Sequence, residues 1–362
     1  MKKIKKSILI MISLIMISLI MLLLTGCGEK QTKVVFYTGF AKDEVFRIEQ
    51  MSCSLPEVMV YLTTTQSRYE TVYGEQIWET SLEGTTLEES MKDMVLAQLS
   101  QIKAMNLLAE KEKVELNKEE EEKVAQAAKD FYETLSKEEI NSLGVDKECI
   151  KRLYKEYAVA NKVYYYLIKD VNPEVSDDEA RTITVDQILI KTFSLDENNQ
   201  KVEFGVQQKM EALKKATEAL EKAKNGVGFD SLMAAYNEDN QSQYSFGKGE
   251  MNPEFEAAAF NLSKGEISEI IQTEYGYHII KCITNFNQEE TDANKIKIVE
   301  KRREQVFEQR YSEFVKDLIK AVNEELWEEI TLIQDVEIDI SDFFEIYQKY
   351  LGNEFNTEWM EE

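Results

Sequence analysis

Histidine is almost absent from this 362-residue chain: His278 is the only one. That excludes metal motifs built on several histidines. Cysteine is also sparse, at four residues. Cys27, Cys53, Cys149 and Cys282 are widely spaced and make no C-x-x-C, so they give neither a disulfide framework nor a zinc or redox motif. Positive charge is in short supply, with 43 Lys and Arg against 68 Asp and Glu and a net charge of -25. Nucleic acid, whose phosphates need Lys and Arg, is therefore excluded as the expected partner. An anionic membrane surface fits equally badly as the main partner. The simpler reading of the acidity is solubility, since like charge keeps a surface protein dispersed.

What the chain does have begins at its start. Lys2, Lys3, Lys5 and Lys6 precede an apolar run over residues 8–24, broken only by Ser13 and Ser18, and then come Thr25, Gly26 and Cys27. A charged start, an apolar middle and a small-residue cleavage site make a secretory signal. A cysteine directly after the small residues makes it a lipoprotein signal. The Cys27 thiol can carry a diacylglycerol, and two acyl chains suffice for stable anchoring. An uncleaved transmembrane anchor also fits the length of the run but has no need of Cys27. Both readings place the rest of the chain on the extracytoplasmic face of the cell membrane. Cleavage removes four lysines, leaving 39 basic against 68 acidic residues and a net charge of -29.

Residues 27–33 read as the lipidated cysteine and a polar tether. Residues 34–37 and 44–49 read as short strands. Ser54 with Glu57 is a capping box with Pro56 just inside it, which predicts a helix from about Leu55. Leu87, Met91, Val95, Leu99, Ile102 and Met105 recur at three- and four-residue spacing and predict one buried helical stripe. Asn117 with Glu120 and then Asp146 open two more helices, the second ending before Pro173. The acidic run 119–122 is a solvated first turn. The methionines Met91, Met94 and Met105 read as core, although Met-rich faces can also adapt to varied partners. From Ser176 the pattern changes to a buried strand over 182–190, helices over 209–224 and 229–236, a helix opened by Pro253, and a hairpin of 267–273 and 277–283 around Gly276. A long charged helix is predicted over 292–323. An acidic, aromatic tail follows, expected to pack on the helical region.

One stretch carries more than periodicity. Gly228-Phe229-Asp230 leads to Asn237-Glu238-Asp239, then to Phe246-Gly-Lys-Gly-Glu-Met251, Phe255, Gly265-Glu266-Ile267-Ser268, and Thr273-Glu-Tyr-Gly276-Tyr277-His278. In order and spacing this resembles the parvulin family of peptidyl-prolyl isomerases over residues 182–283. The whole layout is similar to PrsA-type foldase lipoproteins and SurA-type periplasmic chaperones. The resemblance implies an α+β protein in which a parvulin-like domain, a small antiparallel sheet with flanking helices, is inserted into a mostly helical chaperone domain built from both ends of the chain. The implied divisions are a signal peptide at 1–26, a chaperone region at 34–175, a parvulin domain at 176–286, a closing helix at 287–327 and the tail at 328–362.

The same resemblance implies the site. Met251, Phe255 and Phe246 form an apolar slot for proline, Thr273 and His278 an inner hydrogen-bond network, and Asp239 faces the isomerising amide. No metal or cofactor is implied. The partners implied are unfolded or partly folded exported polypeptides, with a homodimer left open. Taken alone, Met251 and Phe255 read as core, His278 as a buried histidine of a strand, and Asp239 as a loop aspartate.

Two departures stand out. Parvulins usually carry a histidine in the opening strand, where this chain has Gln187. They also usually carry a Gly-Gly-Asp-Leu-Gly-like string before the phenylalanine, where this chain has only residues 240–245. If the histidine serves geometry, Gln187 can stand in; if it serves proton transfer, activity falls. The residues thus leave an active isomerase-foldase beside a non-catalytic holdase with a degenerate parvulin domain. More remote is a solute-binding lipoprotein, which would need two α/β lobes.

Overall fold

The computed structural model describes residues 39–355, apart from residues 83, 198 and 334–339. The signal peptide, Cys27 with its tether, the strand expected over 34–37 and the last residues of the tail lie outside the described residues. Among the described residues no helix is long and apolar enough to cross a membrane. The chain divides into two compact units. The first takes the residues up to Asp170 and those from Val306 onward, and the second is Val171–Gln305.

In the first unit, strand Glu44–Ile48 is central in a three-stranded antiparallel sheet, between Met51–Ser54 and Lys320–Val322. The chain then enters helix Leu55–Tyr73 through the expected capping box, with the Ser54 N–H donating to Glu57 Oε2 at 2.6 Å. The same Glu57 faces inward with its other oxygen. Lys103, fully buried on helix Leu87–Glu112, donates to Glu57 Oε1 at 3.0 Å and to Glu156 Oε2 at 2.6 Å. A buried ammonium is tolerated only when its charge is paired in this way.

Helices Lys118–Thr134 and Lys147–Ile168 start at Asn117 and Asp146 as predicted, each cap accepting a backbone N–H three residues on. The stripe Met91, Val95, Leu99, Ile102 and Met105 is buried. The tail closes this core. Helix Phe343–Leu351 inserts Phe343 among Tyr61, Phe131, Tyr154 and Tyr157. The Phe343 ring stacks on Tyr154 at 4.1 Å, and the Tyr154 hydroxyl donates to the Phe343 carbonyl at 2.9 Å.

The helix predicted over 292–323 is corrected at both ends. It runs Gln288–Val315, and Lys320–Val322 is instead the strand that pairs with Phe46–Ile48. The open edge of strand Glu44–Ile48 offers backbone partners that outweigh the helical preference of those few residues.

The second unit is built on a four-stranded antiparallel sheet. Its order is Gln243–Phe246, Ile183–Lys191, Gly276–Thr284, Ile271–Thr273. One face carries Ile188, Ile190, Tyr277 and Ile279 against the alanine side of helix Val206–Lys224 and against helix Phe229–Tyr236. The other carries Ile183, Val185, Ile280 and Cys282 against helix Pro253–Phe260. Burial on both faces explains why the opening strand reads as a continuous apolar run. The fold is α+β: a small antiparallel sheet with flanking helices makes up the second unit, and the first is mostly helical. Two further boundaries shift. The first hairpin strand is only Ile271–Thr273, with Ile267 making an isolated bridge to Lys281. Residues 243–245, part of the connection expected over 240–245, instead form an edge strand with Phe246, because Phe246 and Tyr244 face Ile183 and Val185 across the ladder.

Candidate active site

Strand alternation assembles the site. Side chains two apart share a face, so Gln187 lies on the same face as Ile183 and Val185. In the paired strand His278 lies opposite Leu189, and Ile280 opposite Gln187, which puts the imidazole diagonally beside the Gln187 amide. Thr273 arrives across the Gly276 turn, where it pairs with Gly276 in the ladder. Gly276 has φ +145°, and a Cβ there would strike the Ile190 carbonyl, so only glycine closes this turn against the opening strand. Asp239 is brought in by its own segment. The Glu238 N–H donates to the Leu189 carbonyl at 2.8 Å, and Asn237 Oδ1 accepts the Leu189 N–H at 2.9 Å.

These placements produce one continuous chain of hydrogen bonds. Thr273 Oγ1 lies 2.7 Å from His278 Nε2, and His278 Nδ1 lies 3.1 Å from Gln187 Oε1. Gln187 Nε2 donates to Asp239 Oδ2 at 2.6 Å, and the Tyr244 hydroxyl donates to the same oxygen at 2.7 Å. Asp239 Oδ1 accepts the Asn240 N–H at 2.8 Å. The chain has a direction. An ionised carboxylate only accepts, so Gln187 turns its NH2 to Asp239 and its oxygen to His278. Nδ1 of His278 must then carry the proton. Nε2 is left as an acceptor for the Thr273 hydroxyl, whose oxygen in turn accepts the Tyr275 N–H at 3.1 Å.

The site is neutral apart from Asp239. Burial depresses the His278 pKa from 6.5 to about 4, so the imidazole is uncharged at neutral pH. Burial and the bond to Asp239 push the Tyr244 pKa up to about 12. Neither group titrates near pH 7.

Beside this chain lies the apolar cluster. The Phe255 ring meets the His278 ring edge-on at 5.2 Å, and Phe246 lies 5.9 Å from Phe255. Phe246 and Phe255 are 3 % and 2 % exposed, whereas Met251 and Tyr244 are partly exposed at the cluster's margin. Asn252 fixes helix Pro253–Phe260, and hence Phe255, by accepting the N–H groups of Glu254 and Phe255.

All seven residues expected on this face, Gln187, Asp239, Phe246, Met251, Phe255, Thr273 and His278, fall in two adjoining groups, one polar and one apolar. Cys27 lies outside the described residues. Sequence reasoning missed Tyr244 and Asn237. The alternation of Tyr244 with Phe246 was the available signal for Tyr244; Asn237 acts through backbone contacts that leave no local pattern. Among the described residues no cluster of His, Cys, Asp and Glu could hold a metal ion.

Residues 165–285 match the family model of the PPIC-type PPIASE domain. The foldase protein PrsA of Caldanaerobacter subterraneus is 27% identical over 258 residues, spanning 67% of this chain and 74% of its own length. The foldase protein PrsA of Clostridium botulinum is 27% identical over 281 residues, spanning 69% and 78%. The solved structure of a peptidylprolyl isomerase (PrsA) from Bacillus cereus aligns with 75% of this chain and 97% of its own, at 21% identity and a TM-score of 0.35, too loose to carry residue correspondences.

Proposed function

Because the chain carries a PPIC-type peptidyl-prolyl isomerase domain and resembles PrsA-type foldases, we propose that it isomerises X-Pro bonds in exported polypeptides as they fold outside the cytoplasm, held to the membrane by a lipid on Cys27. The observation that carries this reading is that Gln187 joins His278 to Asp239, closing the polar chain where parvulins usually have a histidine.

The chemistry asks for little else. The barrier is the partial double bond of the amide, ~18–20 kcal/mol, and uncatalysed X-Pro exchange takes tens to hundreds of seconds. An enzyme must hold the proline ring in apolar surroundings and favour the twisted amide over the planar one. Met251, at the exposed margin, supplies the apolar contact with Phe255 packed behind it, and Asp239 supplies a fixed negative charge beside it. Gln187, His278 and Thr273 hold that charge in place without giving up a proton.

A second reading is a non-catalytic holdase. It is favoured by the burial of Phe246 and Phe255, which leaves Met251 and Tyr244 as the apolar margin open to a client. Residues 28–362 separate the two readings in a proline-limited refolding assay, run beside Met251→Ala and His278→Ala. Acceleration that both variants lose supports the isomerase. Suppressed aggregation without acceleration overturns it in favour of the holdase.

A further inference from the structure

Tyr244 belongs to the segment that replaces the usual glycine-rich string, and the isomerase reading just described gives its hydroxyl no part. Its position is nevertheless well determined. The edge strand Gln243–Phe246 sets it opposite Val185, on the same face as Gln187, and its ring packs against the apolar cluster that holds Phe246 and Phe255. Its hydroxyl reaches Asp239 Oδ2 at 2.7 Å, the same oxygen that Gln187 Nε2 contacts at 2.6 Å. Two donors on one carboxylate oxygen, with the Asn240 N–H on the other, leave that carboxylate one orientation.

That orientation matters because Gln187 is symmetric in shape but not in chemistry. An amide can be turned over at almost no steric cost, and which end faces His278 depends only on its partners. With the NH2 end toward Asp239, His278 is protonated on Nδ1. With the amide reversed, Nδ1 becomes an acceptor, Nε2 takes the proton, and the Thr273 hydroxyl must find another acceptor. We propose that Tyr244 is a positioning residue of the isomerase site: by holding the Asp239 carboxylate against Gln187, its hydroxyl selects the Nδ1-protonated form of His278 and keeps the Thr273 hydroxyl turned inward. The inference rests on the isomerase reading above, but its test does not depend on measuring turnover. High resistance of the Tyr244 hydroxyl to ionisation is consistent with this role, since it stays a donor across the working pH range.

The single histidine makes the test direct. Residues 28–362 labelled with 15N-histidine give one imidazole, whose protonated and unprotonated nitrogens resonate far apart. In the wild type, Nδ1 should carry the protonated-type shift and Nε2 the unprotonated type, unchanged from pH 6 to 9. Tyr244→Phe keeps the ring and removes the hydroxyl. It should move the two shifts toward each other, lower kcat by about fivefold and leave KM unchanged. Asp239→Asn should mix the tautomers in the same way, and the double variant should lose no more than Asp239→Asn alone. A Tyr244→Phe protein with wild-type nitrogen shifts overturns the proposal, whatever its activity. Should the wild type fail to isomerise while its shifts still respond to Tyr244→Phe, the isomerase reading falls and the positioning role stands.

Discussion

Replacing Gln187 with glutamate keeps the length and branching of the side chain and removes only its certainty of donating. In the wild type an amide nitrogen stands 2.6 Å from Asp239 Oδ2. In Gln187→Glu an oxygen stands there, and if both acids ionise, two negative charges face each other. At that separation, with an effective dielectric of about 20, the repulsion is about 6 kcal/mol, equivalent to between about four and five pKa units. Relaxation of the exposed side of the site and the Tyr244 and Asn240 donors reduce this. A rise of about three units, from ~4.3 to ~7, is the working figure. In its protonated form the introduced acid would mimic glutamine, donating to Asp239 while accepting from His278. A folded pKa raised above the unfolded value makes the native state hold the extra proton. Stability is then complete below about pH 4 and lost as pH rises toward about 7, by about 4 kcal/mol in total. Thermal melts of the variant and the wild type at pH 5 and pH 8 read this out. The two should lie within a few degrees of each other at pH 5, and at pH 8 the variant should melt about 10–15 °C lower. Isomerase activity should follow the same titration. Parallel melting of variant and wild type from pH 5 to pH 8 would refute the Gln187–Asp239 contact and the polarity argued from it.

Two further outcomes follow from the geometry. His278 is buried and neutral, with its folded pKa depressed to about 4. Between pH 4 and 6.5 the unfolded chain therefore binds the extra proton, stability rises with pH, and acidification through that window should cost up to about 3 kcal/mol. The difference in unfolding free energy between the wild type and His278→Gln, measured at pH 4.5 and pH 7.5, isolates this contribution, and a difference independent of pH would contradict it. Phe343 is fully buried among five aromatic rings, so Phe343→Ala should destabilise the helical unit by about 3–5 kcal/mol in urea unfolding. An unchanged midpoint would mean the tail does not close that core.

Much of the helical unit is legible residue by residue. Ser54 with Glu57, Asn117 with Glu120, and Asp146 are local signals, because a cap and the groups it satisfies lie within three residues of each other. The buried stripe from Met91 to Met105 is local in the same sense, since its period is set by the helix itself. The departures from local pattern are non-local. Lys320–Val322 forms a strand only because Glu44–Ile48, far earlier in the chain, leaves an edge open. Tyr244 falls in the short connection 240–245 by sequence, yet it lies in a strand because Ile183 and Val185 offer it a ladder. The Glu57 of the capping box gave no hint that its second oxygen would meet a buried Lys103.

The candidate site divides along the same line. Its residue types and their order are legible in the linear chain: one histidine, an aspartate after Asn237-Glu238, an apolar pair four apart, and a glycine turn between Thr273 and His278. The apolar run 182–190 likewise puts Gln187 in the opening strand, while leaving open whether a glutamine there completes the site or breaks it. The folded sheet supplies the contacts that the proposed role of Gln187 rests on. Strand register sets the Gln187 amide between His278 and Asp239, and the Asn237 segment, pinned to Leu189, delivers the carboxylate to it. A hydrogen bond forms within a few tenths of an ångström and along a set direction. No linear pattern encodes that requirement between residues 52 and 91 positions apart in the chain; only the packed sheet meets it.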